Sequence, residues 1–140
     1  MVSAEAGAAA IVRPFQVVDL AVPGALRSLP LSRFDIVMSN DALMHLPNRD
    51  VFVALENING AGAPGGTFVT NTDNRREHPN FNGHIEAGFH RPLDLKAPPF
   101  SLRDVQTSMN TTSKCGRMRE LCETIDTFRF PLRYAGHDRR

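Results

Sequence analysis

The feature that most constrains the fold is residues 34–47, where an apolar run meets a cluster of small polar side chains. The Ile-Val-Met run at 36–38 has the length and composition expected of a fully buried strand. Ser-Asn-Asp follows at 39–41, and Asn48 is a good N-cap for a helix over 48–58. A strand, a polar tip and a helix in this order are typical of a parallel α/β sheet with a ligand site at its carboxyl edge.

The predicted helix is supported by one stripe of apolar side chains, with a stop signal after it. The stripe consists of Val51, Phe52, Leu55 and Ile58. Gly60 and Gly62 end the helix, and Pro64 prevents its continuation. Residues 60–65 match the letters of a dinucleotide-binding glycine motif, but that motif must follow a strand and open a helix. Here it follows a helix and precedes a predicted strand at 66–72, so we interpret it as a helix stop.

Three other segments have recognisable patterns. Residues 15–20 are rich in β-branched side chains and predict a strand that ends near Asp19. Residues 73–89 are polar and irregular, and a loop of that length is usually functional or disordered. A last helix is predicted from Ser113 onward, with an apolar face formed by Met118, Leu121, Cys122 and Ile125.

Length and composition favour one domain without a membrane span or a nucleic-acid footprint. The chain has 140 residues, 16 basic and 15 acidic side chains, and a net charge of +1. No apolar run approaches the roughly 20 residues that cross a bilayer. Cys115 and Cys122 lie too far apart on a helix for a disulfide, so we expect structural thiols. The start lacks a basic segment typical of secretion signals, which predicts a soluble, cytoplasmic protein.

Several polar residues are candidates for a site, each with a structural alternative. Asp19 is either a loop acid or a carboxylate at the ligand edge of the sheet. Residues 39–41 place donors and acceptors at one spot, although a helix cap and turn would use the same residue types. His45, between Met44 and Leu46, is more often a packed core residue than a functional one. The six-residue spacing of His78, His84 and His90 fits no converging ligand geometry, so we expect no metal.

Residues 34–41 and 43–47 resemble the fourth-strand motif of class I S-adenosylmethionine-dependent methyltransferases. Residues 60–70 are similar to the Pro-Gly-Gly turn that leads those enzymes into their fifth strand. Residues 89–100 resemble a Trp-Arg-Pro-Leu-Asn-Leu…Pro-Pro-Phe signature of one bacterial-type branch. The resemblance spans residues 13–102 and implies an α/β fold with an incomplete Rossmann-like, mostly parallel sheet.

The resemblance also implies a cofactor, S-adenosylmethionine, and roles for individual residues. The positions that correspond to cofactor-binding residues are Asp19, Leu20, Ser39 and Asn40. Asp41 would face the transferred methyl group, with His45 beside the acceptor, which is an unknown small molecule or protein. Phe89 stands where the branch has tryptophan and Asp94 where it has asparagine, so the acceptor side of the site differs from the pattern.

One part of the family pattern has no counterpart in the sequence. Such enzymes carry a glycine-rich loop after their first strand and an acid at the end of their second, and the 14 residues before Phe15 cannot hold two strands with crossover helices. We therefore interpret residues 1–140 as a single partial domain, the C-terminal part of a methyltransferase, with a divergent segment at 103–140. The alternative is a non-catalytic remnant or pairing module that self-associates through an open sheet edge.

Overall fold

In the part of the chain that the structure describes, one helix and the segment 93–102 pack on one face of a four-stranded sheet. The computed structural model describes residues 16–28, 33–73, 78–110 and 123–135. The elements are β1 (Phe34–Ser39), α1 (Asn48–Ala61), β2 (Gly62–Asp73), β3 (Val105–Asn110) and β4 (Glu123–Arg129). Two short 3-10 turns, Ala25–Ser28 and Leu43–His45, precede α1. Within these ranges, no helix is both long and apolar enough to cross a membrane.

The sheet is mixed, and this corrects the prediction of a mostly parallel one. Its strand order is β1-β2-β4-β3. β1 and β2 are parallel, whereas β4 is antiparallel to both β2 and β3. The difference follows from the connections: a parallel pair needs a crossover of a dozen or more residues, which α1 supplies between β1 and β2. Only the first half of the sheet therefore has the predicted parallel arrangement.

Helix α1 confirms the predicted helix and extends it by one turn. Val51, Ala54, Leu55 and Ile58 are buried on one face, as the apolar stripe predicts. The Gly62 amide donates to the Ile58 carbonyl, and the chain enters β2 directly, so the glycine-rich segment is a helix stop. The predicted cap is displaced by one residue: Pro47 occupies the N-cap position, and Asn48 lies inside the first turn.

One face of the sheet is covered by α1 and by the segment 93–102. Residues that share this face on neighbouring strands are Val37 and Ser39 on β1, Phe68, Thr70 and Thr72 on β2, and Thr124, Asp126 and Phe128 on β4. Phe68 and Phe128 are fully buried and their rings stack 6.1 Å apart. They pack with Leu93, Leu95, Phe100 and Leu102 in the single core of the described chain.

The opposite face of the sheet is largely exposed, and this corrects the prediction that residues 36–38 are fully buried. Ile36 is 64% exposed and Met38 is 70% exposed. They share their face with Val69 on β2, and Met109 on β3, which is 61% exposed, lies on it as well. Successive strand residues point to opposite sides, so a run that is apolar throughout needs two covering layers, and the described residues provide one.

Two predicted elements are wrong where the structure describes them. Residues 16–19 form no strand, and Leu20 lies in a turn that follows them, while Phe15 lies outside the described residues. Ile125 belongs to β4 rather than to a helix, because Thr124, Asp126 and Phe128 alternate into the core with a period of two. The rest of that predicted helix, residues 113–122, lies outside the described residues, as do both cysteines.

The corner between α1 and β2 depends on a glycine. A Cβ atom at Gly62 would overlap the ring of Phe130, which is buried just after β4. The backbone next to this corner is also bonded to the same residue, because the Gly65 amide donates to the Phe130 carbonyl and the Phe130 amide donates to the Gly66 carbonyl. The corner therefore fixes the end of β4 against the start of β2.

Candidate functional site

The carboxyl ends of β1 and β2 meet at one edge of the sheet and bring the predicted polar residues there. Ser39, the last residue of β1, pairs with Thr70 on β2. Asn40 and Asp41 follow directly, and Asn71 continues β2 beside them. Parallel strands present their carboxyl ends on the same side, where α/β sheets place their ligands. The structure thus groups residues 39–41 at the edge where the sequence predicted them.

Asp41 is held in place by a pair of reciprocal hydrogen bonds to Asn71. The Asp41 amide donates to Oδ1 of Asn71 over 2.8 Å, and Nδ2 of Asn71 donates to Oδ1 of Asp41 over 2.6 Å. Asn40 Nδ2 donates to the other carboxylate oxygen over 2.9 Å. The backbone of Asp41 has φ 51°, a left-handed conformation that non-glycine residues adopt rarely and often at functional sites. The exposed carboxylate is thereby fixed in one orientation.

Ser39 and Asn40 differ in their surroundings. The Ser39 side chain is buried on the covered face, and its hydroxyl has no hydrogen-bond partner within the described part of the chain. Asn40 is exposed. A buried hydroxyl without a partner is uncommon in native structures and indicates a place for a water molecule or a ligand atom. Ser39 therefore contributes an unused donor just beneath the exposed Asn40–Asp41 pair.

His45 ends the 3-10 turn that follows Asp41, and its ring is oriented by a backbone carbonyl. Its Nδ1 lies 3.2 Å from the carbonyl oxygen of Phe89, and its ring centroid lies 5.5 Å from that of His90. A carbonyl can only accept, so the bond requires the proton on Nδ1. The neutral tautomer then leaves Nε2 free to accept a proton. His45 is half-buried, which fits neither a fully packed core residue nor a freely exposed one.

Arg91 anchors the turn that carries His45, and sequence reasoning missed it. Its guanidinium is fully buried and donates to the carbonyl oxygens of Met44 and Leu46 and to Oδ1 of Asn48. Burial lowers the pKa of Arg91 from its ordinary value. These three acceptors pair with both terminal nitrogens of the guanidinium, whereas Nε has no hydrogen-bond partner among the described residues. No local pattern in the sequence reveals such a distant set of acceptors. Arg91 therefore acts on the site by positioning its loop.

Asn82 holds the loop that leads to Arg91, and it was also missed. Its Nδ2 donates to the carbonyls of Asp94 and Pro98, and its Oδ1 accepts from the Asp94 amide. Asn48, the residue predicted as a cap, donates to the Asn82 carbonyl instead. Of the loop predicted at 73–89, Asp73 belongs to β2, and the described residues 78–89 contain no helix or strand, as predicted. The buried amide of Asn82 fixes this loop.

A buried charge cluster lies on the covered face, two strands away from Ser39. Lys96 Nζ approaches Oδ2 of Asp126 at 2.6 Å and Oδ1 of Asp94 at 3.8 Å. Thr72 Oγ1 donates to the same Asp126 oxygen over 2.6 Å. Thr70 stands between Ser39 and Asp126 in one row across three strands. The covered face is therefore polar at its carboxyl end and aromatic one row below.

Asp19 and Leu20 are anchored elsewhere. Asp19 is exposed and closes a turn, in which its Oδ1 accepts from the Ala21 amide over 2.9 Å. The Leu20 carbonyl accepts from Nδ2 of Asn57, in the second half of α1. Asn57 is nine residues beyond Asn48, about 13 Å along the helix and away from the carboxyl edge. The structure thus groups Ser39, Asn40 and Asp41 at the sheet edge, and His45 ends the turn that follows them. A cofactor role for Asp19 and Leu20 stays a prediction.

The histidines of the loop are not arranged as metal ligands. His78 Nδ1 accepts from the Asn80 amide, and His90 contacts His45. In the part of the chain that the structure describes, no group of three or more His, Cys, Asp or Glu side chains is placed to hold a metal ion.

No protein-family model matches the chain, and no curated protein matches it. Among solved structures, an O-methyltransferase family protein from Burkholderia thailandensis is similar, with a TM-score of 0.41 and 16% sequence identity. The match covers 76% of this chain and 33% of that protein, so the chain spans about a third of its length.

Proposed function

We propose that the chain carries the acceptor half of an S-adenosylmethionine-dependent methyltransferase site, with Asp41 and His45 beside the methyl acceptor. The observation that carries the proposal is the fixed polar cluster at the carboxyl edge of the parallel β1–β2 pair. Ligands of α/β sheets bind at such edges. The resemblance of residues 34–47 and 60–70 to methyltransferase motifs supports methyl transfer as the reaction at this edge.

The residues of the edge suit the polar groups of a nucleoside and an amino acid. Ser39 offers a buried hydroxyl without a partner, and Asn40 offers an exposed amide. Hydroxyl and amide groups can both donate and accept, as contacts to an adenosyl or methionine moiety require. When bound, S-adenosylmethionine supplies a methyl group activated by the positive charge on sulfur. Ser39 and Asn40 would hold and orient the cofactor.

Asp41 and His45 would act on the acceptor. The bound cofactor would supply an electrophilic methyl group to the acceptor, and the electron pair of the methyl–sulfur bond would stay on sulfur. A protonated acceptor must lose its proton, and a base within hydrogen-bond reach removes it. His45 Nε2 can take that proton, because its Nδ1 is directed at the Phe89 carbonyl. Asp41, fixed by Asn71, would orient the acceptor for in-line attack.

Calorimetric titration with S-adenosylhomocysteine tests the proposal through binding rather than activity. We expect saturable heat with the full chain and weaker binding by Asn40→Ala and Ser39→Ala variants. Asp35→Asn, an exposed acid near the other end of β1, is the matched control and should bind as the parent chain does. Absence of heat from the folded parent chain at millimolar ligand would count against the proposal.

A second candidate function, a non-catalytic pairing module, is favoured by the exposed face of the sheet. Ile36, Met38 and Met109 are each more than half exposed, and β1 pairs with one strand among the described residues. An apolar strand with a free edge tends to pair with another chain. In this case self-association would complete the sheet. A stable, dispersed monomer in size-exclusion chromatography would argue against the pairing module.

A further inference from the structure

A cavity beside α1 has aromatic walls and one acidic group. It measures about 280 Å³ and is lined by Phe52, Glu56, Pro99, Phe100, Tyr134 and Ala135. None of these residues belongs to the site at Asp41 and His45. Phe52 and Glu56 lie four residues apart on α1 and therefore face the same side of the helix. The cavity thus forms where α1 meets the two segments that follow β2 and β4.

The aromatic rings are arranged around the cavity rather than stacked away from it. The rings of Phe52 and Phe100 lie 5.1 Å apart at 45°, and Phe100 is fully buried, which fixes it in the wall. Phe52 is 37% exposed and forms an accessible side. Tyr134 packs against the core beside them. The faces of such rings carry negative electrostatic potential and attract cations within about 6 Å of their centroids.

Glu56 gives the cavity a negative charge. Among the six lining residues in the described chain it is the one with a charged side chain. Burial and the charge of Glu56 together raise the pKa of Tyr134 to about 12, so the phenol remains neutral at physiological pH. Arg27 lines a neighbouring cavity on the other side of Glu56, and the two share no ion pair in the described chain. The carboxylate therefore remains available to a ligand.

We propose that this cavity binds an organic cation, a small quaternary or alkylated ammonium ligand enclosed by Phe52, Phe100 and Tyr134 with Glu56 as its counter-charge. Apolar walls favour the alkyl groups, the ring faces attract the positive charge, and the carboxylate discriminates against neutral ligands of the same shape. This inference is independent of methyl transfer and does not rest on the function proposed above.

The protein contains its own reporter for this site. Tyr134 is the single tyrosine, and the chain has no tryptophan, so tyrosine fluorescence reports on the cavity alone. Choline is the probe, and 3,3-dimethylbutan-1-ol, its uncharged carbon analogue, is the matched ligand control. We expect a saturable fluorescence change with choline and none with the alcohol over the same concentration range. Equal responses to both ligands, or no response to choline, would overturn the proposal.

Two variants separate the charge from the rings. Glu56→Gln keeps the shape and should weaken choline binding about two- to fivefold, as expected for an exposed ion pair. Phe52→Leu keeps the apolar contact and should weaken it by about the same factor through loss of the ring face. Asp35→Asn changes the net charge equally at an exposed position that does not line the cavity, and it should leave binding unchanged. Unaltered binding in both cavity variants would place the choline elsewhere and reject the site.

The chain's own C-terminal arginines are the competing occupant. Residues 136–140 continue directly from Ala135 at the rim and include Arg139 and Arg140. A chain that ends at Ala135 tests this: if the cavity is open to external cations, the shortened and full chains should bind choline equally. Choline binding by the shortened chain alone would mean that the tail fills the cavity and would overturn the proposal of an external ligand.

Discussion

The two faces of the sheet differ in what covers them, although the strands supply apolar residues to both. On the covered face, Phe68 and Phe128 are fully buried under α1 and the segment 93–102. On the other face, Ile36 and Met38 are more than half exposed. Val37 and Met38 are neighbours in sequence, yet one packs on the core and the other faces solvent. An apolar strand can therefore be buried on both faces. Whether both faces are buried depends on how many layers pack against the sheet.

The largest effect should come from removing a ring on the covered face. Phe68→Ala is expected to lower the free energy of unfolding by about 3–5 kcal/mol, because the buried ring leaves a cavity. Met38→Ala, on the exposed face of the adjacent strand, should change it by less than about 0.5 kcal/mol. Urea unfolding followed by circular dichroism measures both. Similar losses for the two variants would show that the exposed face is covered in solution.

A smaller loss of stability is expected from disrupting the charge cluster on the covered face. Lys96→Met should lower the free energy of unfolding by about 2–3 kcal/mol, because Asp126 loses its ammonium partner while it stays buried. Adding Asp126→Asn to Lys96→Met should recover part of the loss, since the uncompensated charge is then removed. The same urea titrations provide the measurement. A double variant less stable than Lys96→Met would contradict this account of the cluster.

Asn71 lies at the end of the exposed face and should have a modest effect on stability. Asn71→Ala is expected to cost about 1 kcal/mol of unfolding free energy, the usual contribution of lost hydrogen bonds. It also frees Asp41, so binding of S-adenosylhomocysteine should weaken while the fold persists. Thr67→Ala, on the same strand and face, serves as the control for both readouts. Loss of stability without any change in binding would separate Asn71 from the site.

Ionisation of Tyr134 should leave the stability of the fold unchanged at neutral pH and lower it in strong base. Its pKa is raised to about 12, first by burial and then by Glu56. The folded state therefore holds this proton more tightly than the unfolded chain, in which tyrosine titrates near pH 10. Stability from this group is complete below about pH 10 and is lost as the pH rises toward 12. The test is a pH titration followed by the absorbance of the phenolate. The midpoint for Glu56→Gln is expected at a lower pH than that of the parent chain. A midpoint near 10 would mean that the covered layer opens.

The sequence predicted α1, β2 and the polar tip after β1 because each is a local pattern. An apolar stripe, a glycine stop and an abrupt change to Ser-Asn-Asp can be recognised without knowledge of distant residues. β4 was predicted wrongly because Ile125 fits both a helical spacing and a strand alternation. The β-branched and aromatic residues Thr124, Ile125, Thr127 and Phe128 were the sequence signal that favoured a strand.

The rest of the candidate site could not be predicted, because it depends on contacts between distant segments. Arg91 binds carbonyls more than 40 residues away, and Asn82 bridges two loops. The order of β4 and β3 in the sheet likewise follows from packing rather than from any motif. A pattern can identify a polar tip, as at Asp41. It cannot identify the amide of Asn71 that holds it, since that requires the register of β1 on β2.

The contact between Gly62 and Phe130 has a consequence for how sequences of this kind can diverge. Because a side chain at position 62 would occupy the volume of the ring, the two positions cannot vary independently. An alanine at position 62 calls for a smaller residue at position 130, and the two changes are expected to appear together. Paired substitution of this kind would identify relatives that share the corner between α1 and β2, even where the polar tip after β1 has been lost.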